Sequence, residues 1–135
     1  MGATANLSKA GEVVGFGLDS VVIVNYVGGI PGGRTLDVTD FAPETIKAGH
    51  LVIRSTADET VFKPMPITSG GDAYASLPSD FEYVGVVVNS VSKEAPFVGI
   101  MNHGTFNDVA APYPLTAEIK AALKEAVPTL IPYHA

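Results

Sequence analysis

Only one stretch of this sequence suits a sustained helix, and that limits the fold more than any other feature. Ile119, Ala122, Leu123, Ala126 and Val127 recur at i, i+3, i+4, i+7 and i+8, forming one apolar stripe on a helix from Ala117 to Val127. Thr116 stands at the N-cap, and Glu118 lies in the first turn, where the helix dipole favours an acid. Pro128 stops propagation, and Lys120, Lys124 and Glu125 take the solvated face. Elsewhere the apolar residues come in short β-branched runs cut by glycine or proline. The expected fold class is α+β, mostly β: a small coiled antiparallel sheet or partial barrel with one C-terminal amphipathic helix and an extended N-terminal arm.

The runs divide the chain into three parts. Residues 1–12 hold few large apolar groups and read as a flexible arm. Residues 13–34 form a β extension, with strands over Val13–Leu18 and Val21–Val27, closed by a glycine break from Gly28 to Gly33. Residues 35–135 form the main domain. There, the alternation from Thr35 to Phe41 predicts a strand that sends Leu36, Val38 and Phe41 to the core. A turn at Ala48-Gly49 leads into a strand through Ile53, and Val61–Ile67, carrying Pro64 and Pro66, belongs at a sheet edge. A loop runs from Ser69 to about Asp80. Tyr83–Val91 and Pro96–Met101 are the strongest strand signals. Each holds a Val-Gly pair (Val84-Gly85 and Val98-Gly99) where a bulge or a close backbone approach is expected.

At 135 residues the chain suits one domain. Eight basic against fourteen acidic residues give a net charge of −6, which argues against nucleic acid and against an anionic membrane surface as partners. Charged residues make up 16%, below the usual share of about 25%, which suggests a surface partly covered by a partner. The absence of cysteine excludes disulfides and thiolate metal sites. No apolar run approaches the roughly 20 residues of a membrane helix, and Met1–Glu12 lacks a signal-peptide core, so a soluble chain is expected.

Candidate chemistry is sparse. His50, His103 and His134 have no ligand-type partner at metal-binding spacing; His103, in an Asn-His-Gly-Thr turn near Asp108, is the best placed. Ser90-Val91-Ser92-Lys93 matches the S-x-x-K string of penicillin-binding enzymes but lacks its companion motifs. Gly15-Phe16-Gly17 has Ser20 where a dinucleotide fingerprint needs glycine, and Gly28–Gly33 lacks the Lys-Ser/Thr of a phosphate loop. The acids Asp37, Asp40, Asp58, Glu59 and Asp72 show no pair that stands out for glycoside chemistry, and Asp72 lacks EF-hand spacing. The expectation is a non-enzyme with no catalytic residue, no metal and no cofactor.

One order of features goes further. The Gly-containing turn into Leu51-Val52, the strand Val84-Gly85-Val86-Val87 and the strand ending in Gly104-Thr105-Phe106 come first. Asp108 and Pro112 follow, then the helix and a terminal apolar strand at Leu130-Ile131. From about Thr35 onward this resembles the head decoration (capsid cement) proteins of tailed phages, the phage lambda head decoration family, with Gly104, Thr105 and Phe106 as the family-like motif. The resemblance implies a homotrimer on the outer surface of the phage head, bound to the major capsid protein and made in the bacterial cytoplasm. It also implies an arm that orders on the capsid, which gives Thr4, Ala5, Asn6, Leu7 and Ser8 as capsid contacts. The extension Val13–Val27 departs from the family pattern. The alternatives are a head-fibre or adhesin module binding host or mucosal glycans through Tyr26, Tyr74, Tyr83 or Tyr113, and a small β ligand-binding domain.

Overall fold

In a computed structural model, which describes residues 19–133, the apolar runs pair into one open sheet rather than a closed barrel. The described residues begin with a helical turn, α1 (Asp19–Val22), and the margin strand β1 (Ile23–Gly29). Two short strands follow, β2 (Arg34–Thr35) and β3 (Thr45–Ile46), then β4 (Leu51–Ser55) and β5 (Phe62–Pro64). Next come β6 (Phe81–Val87), β7 (Val91–Ser92), β8 (Phe97–Val98) and β9 (Ile100–Phe106). The helix α2 (Ala117–Ala126) and the strand β10 (Leu130–Pro132) close the fold. The main sheet runs β1-β9-β6-β4-β5, all antiparallel, and β10 adds to β9 in parallel. Two small ribbons, β2 with β8 and β3 with β7, lie outside it.

The middle of the sheet is covered on both faces, so its strands carry apolar residues at consecutive positions rather than alternate ones. From β4, Leu51 and Ile53 enter one core with Val86, Met101, Phe106 and the helix residues Leu123 and Val127. Val52 between them enters a second core with Leu36, Phe41, Ile46, Val87 and Ile100. Gly85 and Gly104 are required by close approach. A Cβ on Gly85 would collide with the Met101 carbonyl, and one on Gly104 with the Asn25 carbonyl. The pairing slips by one residue beside Gly85, which is the bulge expected there.

α2 starts where its sequence requires. Thr116 Oγ1 accepts a hydrogen bond from the Ile119 N–H at 3.2 Å. The buried stripe is narrower than the periodicity predicts: Leu123 and Val127 are buried and Ile119 is half-buried, whereas Ala122 and Ala126 are exposed. The helix rests on the sheet along a single line of large side chains, so alanines beside that line do not reach it.

Several strand expectations shift. Val21 and Val22 belong to α1, and the strand placed over Val21–Val27 runs instead through Gly28 and Gly29. These two glycines lack bulk but still pair with His103 and Met101, which moves the break to residues 30–33. Val13–Leu18 lies outside the described residues. Of the strand predicted from Thr35 to Phe41, only Arg34–Thr35 and a bridge from Leu36 to Phe62 form. Asp37 turns the chain, taking hydrogen bonds from the backbone and hydroxyl of Thr39, while Leu36 and Phe41 are still buried. Tyr83–Val91 divides into β6 and β7, and Pro96–Met101 divides at Gly99, with its second half continuing to Phe106. β5, the strand with proline, is the sheet edge opposite β1, as expected.

Candidate functional site

Gly104-Thr105-Phe106 forms the end of β9, the strand on which the sheet converges. β1 pairs with one side of β9; on the other side, β6 pairs with its start and β10 with its end. Phe106 is fully buried between the sheet and α2. Gly104 lets the β1 backbone approach. Thr105 is half-buried, in register with Asn25 of β1 and Ile131 of β10. The motif therefore joins three strands, and Thr105 alone of the three retains partial access to solvent. Thr4, Ala5, Asn6, Leu7 and Ser8 lie outside the described residues.

His103 is in strand β9 rather than in a turn, because Asn102 to Phe106 continue the pairing with β1. It is exposed and lines a shallow depression of about 380 Å³ with the Arg54–Glu82 ion pair (2.6 Å), Asn102 and Thr129. Asp108, its expected neighbour, is buried and pairs through Oδ2 with Lys120 Nζ of α2 at 3.1 Å. That pairing anchors the β9–α2 connection and removes Lys120 from the purely solvated face.

His50 has the structural role expected of a histidine with no ligand-type partner in the sequence. It is fully buried, and its Nε2–H donates to the Met65 carbonyl at 2.9 Å, which sets the tautomer. Phe41, Tyr74 and Tyr113 surround it in edge-to-face contacts at 5.2–5.4 Å between ring centroids. Burial lowers its pKa from 6.5 to about 4. Burial also raises the pKa of Tyr74, whose hydroxyl accepts from the Leu51 N–H at 3.0 Å, and those of Tyr83 and Tyr113. An open cleft of about 430 Å³, bordered by Glu44, Lys47, Pro112 and Tyr113, reaches this cage. A neutral imidazole donating to a carbonyl and enclosed by rings is built for packing. The signal was present in a polar residue set directly before the apolar run Leu51-Val52-Ile53.

The other chemical candidates resolve into structural roles. Ser90 is buried; its hydroxyl donates to Asp19 Oδ1 at 2.7 Å and accepts from the Ala48 N–H at 3.0 Å. It is thus part of a clamp that ties the start of α1 to the body, a contact across 71 residues that no local pattern announces. Asp37 and Asp58 each accept from the backbone and hydroxyl of the threonine two residues later, which holds both carboxyls below the usual range. Asp72 Oδ1 accepts from Thr68 Oγ1 at 3.2 Å within its turn. No three metal-ligating side chains gather among the described residues. No helix among them is long and apolar enough to cross a membrane. Of the tyrosines considered for glycan contact, Tyr26 is exposed, Tyr113 is half-buried, and Tyr74 and Tyr83 are buried.

No family model, no curated protein and no solved structure matches this chain.

Proposed function

We propose that this chain is a structural protein of a tailed-phage virion. In this reading it binds the outer surface of the head as a homotrimer, contacts the major capsid protein and stabilises the shell. One observation carries the reading: the elements of the resemblance occur in chain order and build one sheet. The Gly49 turn leads into β4, Val84-Gly85 lies in β6, and Gly104-Thr105-Phe106 ends β9. α2 and β10 follow and pack back on β6 and β9. The low charge content and net charge of −6 fit a partner that is protein rather than phosphate.

The arm, residues 1–12, supplies capsid contacts at Thr4, Ala5, Asn6, Leu7 and Ser8. Modest contacts per subunit add through symmetry, so strong head binding needs no deep pocket. The test is co-sedimentation with expanded heads of the source phage that lack the protein. Saturable binding at a fixed ratio to the major capsid protein, lost on deletion of residues 1–12 from a chain that still folds, is the expected result. Intact heads that bring down none of the full-length chain would overturn the reading.

A further inference from the structure

Packing accounts for one ring nitrogen of His50 and leaves the other unexplained. Nε2–H donates to the Met65 carbonyl, and burial keeps the imidazole neutral, so Nδ1 carries a lone pair and no proton. Phe41, Tyr74 and Tyr113 meet the ring edge to face and fix its direction. Among the described residues Nδ1 has no hydrogen-bond partner. Every fully enclosed side-chain nitrogen or oxygen among those residues has one. Nδ1 is therefore not enclosed: the last 1% of His50 exposure opens into the cleft that the ring lines. A rigidly held acceptor stands at the bottom of an open cleft.

The rest of the cleft is built to match. Its volume of about 430 Å³ falls within the range of small-molecule sites, about 300–1,000 Å³. The half-buried Tyr113, Pro43 and Pro112 give it apolar surface, and the exposed Glu44 and Lys47 give its border one charge of each sign. Both charged residues flank β3, which is fixed by its pairing with β7 and by the Lys93 N–H, which donates to the Glu44 carbonyl at 2.8 Å. Nothing lies within 4 Å of where a Cβ would stand on Gly71, so that side of the cleft is open. We propose that this cleft binds a neutral carbohydrate, one sugar ring lying against Tyr113, Pro43 and Pro112 while a hydroxyl donates to His50 Nδ1. An anion would face Glu44 and the Nδ1 lone pair, and a cation would face Lys47. A wholly apolar ligand would seal Nδ1 away from water without giving it a donor. A sugar meets each condition, since its C–H face is apolar, its hydroxyls both donate and accept, and it has no charge. The site stands apart from the head contacts proposed above, which lie in residues 1–12. Of the four tyrosines considered for glycan contact, only Tyr113 touches the sugar.

Proton–nitrogen correlation spectra of the full chain report Nδ1 and Nε2 of His50 separately and test the proposal directly. Lactose, maltose, cellobiose and diacetylchitobiose are titrated, with N-methylacetamide and acetate as probes that are not sugars. At least one of the sugars should move Nδ1 saturably, with Kd on the order of 1 mM, while Nε2 keeps its position. Tyr113→Leu, which keeps apolar bulk and loses the flat ring, should weaken that binding on the order of tenfold. The unmodified chain decides the matter even if the variant does not fold. An Nδ1 that no sugar moves overturns the proposal, as does one moved by N-methylacetamide or acetate and by none of the sugars. Sugar binding that shifts other residues and leaves His50 unmoved overturns it too, and so does a folded Tyr113→Leu chain that binds equally well.

Discussion

β4 and β1 are built from the same kinds of residue and have opposite fates. Leu51, Val52 and Ile53 in β4 have no solvent exposure, held between β5 and β6 with a core on each face. Val24, Tyr26 and Val27 in β1 stand more than half exposed at the margin. A hydrophobic run therefore marks a strand that needs cover on both faces, and sheet order decides whether the described residues supply it. At β4 the helix side and the ribbon side both reach the strand. At β1 neither does.

The comparison can be broken at its strong end first. Phe106→Ala removes a fully buried ring shared by the sheet and α2 and should cost about 3–5 kcal/mol in urea unfolding. A loss below about 1 kcal/mol would mean that the interior is less tightly committed than its burial implies.

Acid should probe the interior next. As pH falls through 6.5, the unfolded chain takes up a proton at residue 50 before the folded chain does, since the folded pKa is about 4. The stability present above pH 6.5 is therefore lost progressively between pH 6.5 and 4, by about 3 kcal/mol. Urea midpoints across this window should follow that slope, and in His50→Gln its histidine component should vanish.

The smallest effect belongs to the margin. Tyr26→Ser, at a side chain more than half exposed, should shift stability in urea unfolding by less than about 0.5 kcal/mol, as at an ordinary surface position. A cost above about 1 kcal/mol would mean that the ring is covered, and would break the contrast with β4.

Much of the local structure was legible in the residues. The N-cap at Thr116, the stop before Pro128, the edge strand carrying proline and the irregularity at Gly85 all follow from groups acting on their own backbone. The errors arose where a distant or competing partner intervened. The alternation from Thr35 to Phe41 gave way to the Asp37–Thr39 turn after a single bridge. His103 stays in a strand because β1 pairs with it, and the local pattern of β1 marks an extension without showing that it neighbours β9. The cage around His50 draws on residues 41, 65, 74 and 113, and the Asp19–Ser90 clamp closes over 71 positions. Neither leaves a periodic trace.

By itself, then, the sequence determined the fold class, the one long helix and its cap, the sheet-edge role of the proline strand and the residue types that make the core. These depend on propensity, capping and the period of apolar side chains, which act over a few residues. The tertiary structure alone decided the sheet order, the central place of Gly104-Thr105-Phe106, the neutral buried state of His50 and the exposure of β1. Each of these rests on which surfaces meet, and burial and desolvation belong to the pair of surfaces rather than to either segment alone.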